Sequence, residues 1–558
     1  MASALYPAVI AQRPLRVGVL LDSFQAPAWV EWTLRSLLEA GYVSIVAVLI
    51  DTVARNASAG AVSSQGTADA FENYAKRDAA RYRRPQSALT PHDVAPLLQS
   101  VWTLNLAPPS SAAVCECVDD DVRAVRARDL DVLLDFGSRT IRGDLPAAAR
   151  LGLWSYCCAD VPRQRGEADF FVEMLARNPR TVTGLYAATD AGDGADVLFR
   201  SAASTNFLSL ELSRNYALWK SASFASRALR RAAVSDEAVS GTAPERVRIE
   251  PRAPLPHAPR MLEFFARSAV DRVRSGWRRR TYEEHWILGY RCAAALLDPE
   301  SPSMMQARAL PPPRGHFYAD PCIVTQDGRD FLFFEDFDYA TELGNIACVE
   351  FSAQGPLGEP RLILQTGSHL SYPFVFEADG IWYMVPENGA ARRVSLYRAR
   401  EFPWQWEHVA DLLEGHNAVD ATLWRHQGRW YLFAAIAESG GIVHDELFLF
   451  HAEALTGPWL PHPCNPVVSD VGRARPAGAL FLRDGRLIRP AQDCAINYGR
   501  AVVFNEVLEL SPQNYRERAL GRLDGAWHRG LHGCHTYSTN GRIEVVDGKY
   551  FARKGAVR

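Results

Sequence analysis

The chain of 558 residues has no long apolar run, almost no net charge and no regular spacing of its cysteines. No apolar segment reaches the roughly 18 residues that a membrane-spanning helix needs, so we expect no membrane span. The formal net charge of −3 predicts neither a nucleic-acid partner nor a membrane-surface partner. The first residues do not pair a basic segment with a long apolar one, so we also expect no signal peptide.

The ten cysteines are scattered along the chain and contain no CxxC pair. No group of cysteines, histidines or carboxylates stands at metal-ligand spacing, so the sequence predicts no metal site. Without a disulfide framework, a reduced and therefore cytoplasmic compartment is the plain interpretation.

A phrase recurs five times in the second half of the chain. Each copy has a polar or charged first residue, an apolar strand, a turn with Gly and a second strand, as in "ADPCIVTQDGRDFLFFE". Successive first residues are 52, 48, 55 and 60 positions apart; they are Asp320, Tyr372, Asp420, Arg475 and His535. A repeat of this length that encodes a small antiparallel sheet is typical of a propeller blade. We therefore predict an all-β five-bladed propeller whose first residues point to one central pocket.

The polar residues of this repeat suit sugar chemistry, because making or breaking a glycosidic bond needs one protonated and one ionised carboxyl group. The candidate catalytic residues are Asp320, Asp420, Glu387 and Glu335. The candidate substrate-binding residues are Tyr372, Arg475, Gln492, Asp493 and His535. A structural interpretation stands beside this one: an Asp at the start of a blade can cap a turn, and a buried Glu can form an ion pair with Arg.

The first half of the chain has the pattern of an open parallel α/β sheet. Residues 15–53 predict a strand, a helix and a strand, and the apolar segment 129–138 predicts another buried strand. We predict three parts: an α/β domain over 1–233, a Pro-rich linker with a basic helix over 234–285, and the propeller over 286–558. The segment "WILGYR" (286–291) is expected to close the ring with the last blade.

Two segments, "GLWSYCCADVPRQRGEADFF" (152–171) and "TVTGLYAATDAGDGADVL" (181–198), resemble the formyltransferase fold of methionyl-tRNA formyltransferase and its relatives. The resemblance implies a candidate site at Ser155, Cys157, Arg165 and Asp196. The family's catalytic Asn and His fall on Ser155 and Cys157, and only its Asp is kept, as Asp196. A thiol replaces imidazole poorly as a proton shuttle at neutral pH, which argues against a folate cofactor. A nucleophilic role for Cys157 is conceivable, but it is better explained as a small buried residue at the end of a strand.

The phrases "HFYADP", "HLSYPFVFE", "YMVPE", "VDATLW", "ARPAG" and "HTY" carry a second resemblance. They are similar to five-bladed sugar-active enzymes of glycoside hydrolase families 43 and 32. They are more closely similar to the N-terminal propeller domain of plant glucosamine inositolphosphorylceramide transferase and its bacterial relatives. The resemblance covers about residues 286–551 and implies work on carbohydrate by a bacterial protein, with Asp320 as base or nucleophile.

The leading expectation is glycosyl transfer, ahead of hydrolysis, in the synthesis of a polysaccharide or glycoconjugate. A nucleotide sugar is then the possible donor, a sugar or glycoconjugate is the partner, and no cofactor or nucleic acid is required. Two alternatives remain open at this point: a formyl or acyl transferase that uses the N-terminal domain on an amino sugar, and a glycan-binding protein without catalysis. The sequence leaves the sugar, the stereochemical outcome and the oligomeric state undetermined.

Overall fold

The computed structural model describes residues 2–52, 65–106, 114–158, 168–189, 194–234, 245–250, 253–292, 295–438 and 440–556. The chain divides into two compact units. One, the α/β unit, comprises Ala8–Val273 and Glu438–Gly441. The other, the propeller unit, comprises Met1–Pro7, Arg274–Ala437 and Ile442–Arg558. Among the described residues, no helix is long and apolar enough to cross a membrane.

The strands of the α/β unit are short to medium in length. They are β1 Leu15–Leu21, β2 Gln25–Pro27, β3 Val43–Asp51, β4 Pro91–Asp93, β5 Trp102–Leu106, β6 Val114–Glu116, β7 Val132–Asp135, β8 Thr140–Arg142, β9 Leu153–Cys157, β10 Arg180–Ala188, β11 Gly194–Ser204 and β12 Arg246–Arg248. Eight of them form one sheet in the order β12-β11-β10-β9-β7-β1-β3-β5. Strands β5, β3, β1, β7 and β9 run parallel, whereas β10, β11 and β12 are added antiparallel.

The sheet is therefore mixed. The prediction of an all-parallel sheet is wrong for its last three strands, which run antiparallel. Strand β12 also lies inside the segment predicted as linker. Its three residues, Arg-Val-Arg, carry too little apolar signal to be recognised, although they pair with residues 194–196 of β11. Two-stranded pairs β2-β4 and β6-β8 complete the strands of this unit.

The helices of the described residues are α1 Ala28–Glu39, α2 Gln65–Tyr82, α3 Ala95–Leu98, α4 Asp119–Arg126, α5 Phe171–Ala176, α6 Leu210–Ser221, α7 Phe224–Val234 and α8 Ala258–Thr281; the boundary between the units falls at residue 273, within α8. Apolar residues follow one another almost without interruption along the central strands, as expected when both faces of the sheet are covered. Leu34 of α1 and Leu229 of α7 belong to the core on one face, and Val122 and Val125 of α4 to the core on the other. Short 3-10 turns occur at Pro146–Ala148, Gly389–Ala391 and Gly525–Trp527.

In the described part of the propeller unit, the regular structure is β, apart from the 3-10 turns at Gly389–Ala391 and Gly525–Trp527 and the end of α8. Its strands are β13 Tyr282–Cys292, β14 Arg308–Leu310, β15 His316–Gln326, β16 Arg329–Asp338, β17 Leu343–Ser352, β18 Gly355–Pro356, β19 Arg361–Leu364, β20 Ser371–Ala378, β21 Ile381–Glu387, β22 Arg393–Glu401, β23 Gln405–Glu414, β24 Ala418–His426, β25 Arg429–Ile436, β26 Glu446–Ala452, β27 Leu460–Pro461, β28 Val468–Ser469, β29 Phe481–Arg483, β30 Arg486–Asp493, β31 Ala501–Leu510, β32 Tyr515–Asp524, β33 Tyr537–Thr539 and β34 Ile543–Arg553.

These strands form five antiparallel sheets, which confirms the predicted five-bladed propeller. Four blades are continuous in sequence and begin at β15, β20, β24 and β29. The fifth has the order β14-β13-β34-β33, so it combines strands from the start and the end of the unit. Strand β13 pairs with β34 over eleven residues, and this ladder closes the ring as predicted for "WILGYR".

Candidate active site in the propeller

The first residues of three blades stand at the same irregularity of the innermost strand. Asp320, Tyr372 and Asp420 have φ values of 53°, 43° and 52°. At each of them the ladder has a β-bulge, in which two residues oppose one. A bulge redirects side chains, and positive φ is uncommon for residues with a side chain as large as Tyr. Three blades thus share one strained conformation at the positions singled out by the repeat.

Asp320 lies in a buried cluster with three residues of the last blade. Its Oδ1 accepts a hydrogen bond from Oγ1 of Thr536 (2.8 Å), and its Oδ2 accepts one from the N–H of Tyr372 (3.2 Å). Nε2 of His535 is 3.3 Å from Oδ1 of Asp320, and Nδ1 of His535 is 2.5 Å from Oδ2 of Asp547. His535 is therefore held between two carboxylates.

Burial and charge set the protonation of this cluster. Burial raises the pKa of Asp320 to about 6, against the opposing charge of His535. Burial alone would lower the pKa of His535, but the carboxylates of Asp547 and Asp320 more than offset it and raise that pKa. The imidazolium form of His535 is favoured as a result.

Asp320, His535 and Asp547 also form a group that could hold a metal ion, since one ligand atom of each lies within 4.8 Å of the others. The sequence predicted no metal because these residues are far apart along the chain. The hydrogen bonds and protonation of these three residues fit a protonated histidine between two carboxylates better than they fit a bound metal ion. Oδ1 of Asp547 already accepts two backbone N–H groups (2.7 and 3.1 Å), both oxygens of Asp320 are occupied, and His535 favours its cationic form.

Asp420 is held by an arginine instead. Nε of Arg475 donates to its Oδ2 at 2.5 Å, with a weaker contact from Nη2 to Oδ1 at 3.3 Å. Nε2 of Gln492 donates to the same Oδ2 at 2.8 Å. Glu387 lies beside the pair: its Oε2 accepts the N–H of Asp420 at 3.2 Å and is 3.6 Å from Nη2 of Arg475.

The two carboxyl groups of this cluster take opposite protonation states. Burial alone would raise the pKa of Asp420, but Arg475 more than offsets it and lowers that pKa. Burial, and then the charge of Asp420, raise the pKa of Glu387 well above its usual range. The pair therefore favours one state, in which Glu387 is protonated and Asp420 is ionised.

Glu335 occupies the same blade position as Glu387. Glu335 pairs with Ala319 and Glu387 pairs with Ser371, in each case the residue before the bulge. Burial, and then the charge of Asp320, raise the pKa of Glu335 well above its usual range. Among the described residues, no group hydrogen-bonds to its buried Oε1. Burial and the neighbouring charge of Asp320 thus favour the protonated form of Glu335.

His369 stands 3.4 Å from Oε1 of Glu335 through its Nε2. Nδ1 of His369 accepts the N–H of Gly344 at 2.9 Å, so the proton of the neutral ring is on Nε2. Burial lowers the pKa of His369, which favours that neutral form. Gly344 leaves the space that Glu335 needs, because a Cβ there would lie 2.5 Å from Oε1.

An aromatic wall, which the repeat did not reveal, completes the site. Trp286 stacks on His535 with ring centres 4.0 Å apart, and the edge of Tyr498 meets the same imidazole at 5.1 Å. The guanidinium of Arg475 lies 4.8 Å from the ring centre of Tyr498. Nζ of the fully buried Lys549 contacts the carbonyl oxygen of Tyr498 and lies 5.5 Å from the Trp286 ring.

These residues escaped the sequence analysis because they are not at the start of a blade. Asp547 and Lys549 alternate on β34, the second strand of the last blade, where a period of two places both on one face. The available signal was a carboxylate and an ammonium group at alternating positions of a strand that is buried over most of its length. Tyr498 lies between strands β30 and β31 and had no such signal.

In two of the predicted substrate-binding residues, the side chain contacts groups other than the carboxyl groups of the site. The hydroxyl of Tyr372 contacts Oγ1 of Thr422 (2.8 Å) and accepts the N–H of Gly478 (2.7 Å). This buried ring joins different blades. Asp493 is the neighbour of Gln492 on β30 and therefore points to the opposite face. It contacts Nη1 of Arg522 at 3.3 Å.

In the α/β unit, Oγ of Ser155 donates to Oδ2 of Asp135 at 2.8 Å. Cys157 is buried in an apolar cluster with Tyr186. Ser155 is paired with Tyr186, whereas Asp196 is paired with the next residue along β10, so their side chains leave opposite faces of the sheet. The structure does not bring the predicted N-terminal residues to one point. Arg165 lies outside the described residues.

Comparison with known proteins finds a family model that matches part of the propeller unit. Residues 305–524 match the family model described as glucosamine inositolphosphorylceramide transferase 1, N-terminal. A protein of that name from Oryza sativa subsp. japonica is 36% identical over 206 residues, which is 36% of this chain and 28% of the relative. Its namesake from Arabidopsis thaliana is 34% identical over 207 residues, 36% of this chain and 27% of the relative. The chain thus spans less than a third of these relatives. They are plant proteins and do not support the expected bacterial origin.

Solved structures with similarity include the catalytic domain of the Coprinopsis cinerea GH62 α-L-arabinofuranosidase. It shares 15% identity with a TM-score of 0.32 and covers 47% of this chain and 97% of that chain. A thermostable family-43 glycoside hydrolase shares 14% identity with a TM-score of 0.29, over 37% of this chain and 76% of that chain. The assignment of five blades rests on the strand pairing described above.

Proposed function

We propose that the propeller carries a carbohydrate-active site for glycosyl transfer, ahead of hydrolysis, in the synthesis of a glycoconjugate. The name of the plant relatives supports a sugar or glycolipid as substrate class. The observation that carries the proposal is that buried carboxyl groups of one unit favour different protonation states. Glu335 and Glu387 hold protons, while Arg475 keeps Asp420 ionised. Glycosidic chemistry needs that combination of acid and base.

Each residue has a proposed role. Asp320, whose pKa of about 6 leaves it ionised at neutral pH, acts as base or nucleophile at the anomeric carbon or the acceptor hydroxyl. Glu335 gives its proton to the leaving oxygen. Asp420 stabilises positive charge that develops on the sugar ring, and Arg475 keeps it ionised and oriented. A nucleotide sugar serves as donor.

This assignment predicts a bell-shaped dependence of kcat/KM on pH. Activity should rise as Asp320 loses its proton near pH 6, and fall at higher pH as Glu335 loses its own. Glu335→Gln should abolish the alkaline limb and slow substrates with poor leaving groups by about a hundredfold or more, while activated aryl glycosides are spared. Glu350→Gln, on the neighbouring strand β17 and paired with Arg329, is the matched control. An unchanged profile in Glu335→Gln would remove Glu335 from the proposal.

The α/β unit is proposed as an accessory domain. Its formyltransferase-like fold remains a prediction from the motifs of the sequence. The opposite facing of Ser155 and Asp196 gives no support to formyl transfer, and burial of Cys157 among apolar side chains favours a packing role.

A further inference from the structure

Helix α8 carries an apolar stripe on its solvent side. Its first half is anchored by the opposite side, where Phe264 packs on Phe171 with ring centres 4.8 Å apart. Five large apolar residues are nevertheless exposed: Leu262 (69%), Phe265 (36%), Val270 (65%), Val273 (73%) and Trp277 (59%). Steps of three, five, three and four residues keep them on one side of a helix of 3.6 residues per turn. A continuous exposed stripe of this kind marks an interaction surface.

The charges of the same helix are strongly basic. Its 24 residues contain seven Arg and two acidic residues, so its net charge is 7 − 2 = +5, against −3 for the whole chain. Both acidic residues are already paired: Glu263 with Arg267 (3.3 Å) and Asp271 with Arg177 (2.8 Å). Three consecutive Arg, at 278–280, are exposed at the end of the stripe. The local charge thus reverses what the chain-wide charge predicted about membrane surfaces.

We propose that α8 lies flat on an anionic lipid membrane. The stripe of Leu, Phe, Val and Trp then enters the boundary between headgroups and acyl chains, and the arginines contact lipid phosphates. A helix with an exposed apolar side, flanking Arg and an interfacial Trp is the type that binds in the plane of a membrane without crossing it. Each basic residue near an anionic leaflet adds to that attraction. The proposal is independent of the sugar chemistry and can stand or fall without it.

Vesicle co-sedimentation of the full chain tests this directly. Vesicles of phosphatidylcholine alone are compared with vesicles that contain about 30% phosphatidylserine. We expect partitioning at least about tenfold stronger on the anionic vesicles, with a steep loss at high salt. Val270→Ser with Val273→Ser should weaken it by about tenfold, because both side chains are exposed and their loss leaves the fold intact. Arg279→Gln with Arg280→Gln should remove most of the preference for anionic lipid.

The matched control is Leu460→Ser with Leu482→Ser, which removes two exposed leucines (52% and 64%) from propeller strands β27 and β29. It should bind vesicles like the unmodified chain. Equal binding to both kinds of vesicle, or no binding, would overturn the proposal. So would a self-associated chain, measured by analytical ultracentrifugation, that the α8 valine variant converts to monomer, since the stripe would then be an interface between two copies.

Discussion

At the scale of single residues, the protonation of Asp320 makes a prediction about stability. The folded-state pKa of about 6 lies above the ordinary value of 3.8. Between these values the folded protein holds a proton that the unfolded chain has released, so stability falls as pH rises through this window. Relative to Asp320→Asn, the unmodified chain should lose about 3 kcal/mol of unfolding free energy between about pH 4 and pH 7. Urea unfolding at each pH measures this, and parallel curves would contradict the burial of an ionisable Asp320.

Tyr372 gives a second residue-scale prediction. Tyr372→Phe leaves the buried N–H of Gly478 without its acceptor, which should cost about 1–3 kcal/mol of unfolding free energy. Sugar affinity should change little. Tyr383→Phe, in the same blade, is the control. Weaker sugar binding with unchanged stability would return Tyr372 to the substrate-binding role that its place in the repeat predicted.

Gly344 gives a third. Gly344→Ala brings a Cβ to 2.5 Å from both Oε1 of Glu335 and the carbonyl oxygen of Leu370. We expect a loss of about 1–3 kcal/mol of stability and a fall in kcat, because Glu335 must move. Gly276→Ala, where no atom lies within 4 Å, is the control; it should leave kcat unchanged and keep or raise stability, because Ala suits the interior of helix α8 better than Gly does. A fully active Gly344→Ala protein would show that the position of Glu335 does not matter.

The repeat located Asp320, Glu335, Glu387 and Asp420 because each has a fixed offset within a blade. The sequence could not reveal that Arg475 is engaged by Asp420, since that depends on two blades meeting in space. It also could not reveal that Trp286, Tyr498 and Lys549 lie together, because they come from three separate strands and loops. Side-chain roles at such a site depend on contacts between blades rather than on spacing within one.

At the scale of elements, the ring depends on strands from both ends of the propeller unit. Strand β13 contributes the buried residues Trp286, Leu288 and Tyr290 and pairs with β34 along its whole length. A chain that begins at Arg274 should therefore unfold cooperatively, whereas one that begins at residue 295 should not. Thermal unfolding followed by circular dichroism distinguishes them. Equal cooperativity would mean that β13 is dispensable for closure.

The prediction of elements succeeded where apolar periodicity was strong. The parallel strands of the α/β unit and the hairpins of the blades have continuous or alternating apolar residues. Strand β12 was missed because its two Arg side chains hide a short edge strand, and the antiparallel direction of β10 and β11 is set by connections whose geometry no local pattern specifies.

At the scale of the whole molecule, the propeller unit should be stabilised by a sugar ligand, whereas the α/β unit should not be stabilised by a folate. A ligand at 100 times its Kd stabilises the unit that binds it by about 2.7 kcal/mol. A panel of nucleotide sugars, simple glycosides and reduced folates in a thermal-shift measurement should therefore show a sugar response and no folate response. A folate response would restore the formyltransferase interpretation of Ser155, Cys157 and Asp196.

The most direct measurement is turnover of the sugar substrate found by that panel in the Asp320→Asn protein. The control is Asp330→Asn, which removes an equally buried Asp that binds Thr325 and Asn540 outside the cluster. We predict that kcat/KM falls by about a thousandfold in Asp320→Asn while the sugar still binds, and that Asp330→Asn loses stability but keeps its turnover. Unchanged turnover in Asp320→Asn would contradict a catalytic site in the propeller.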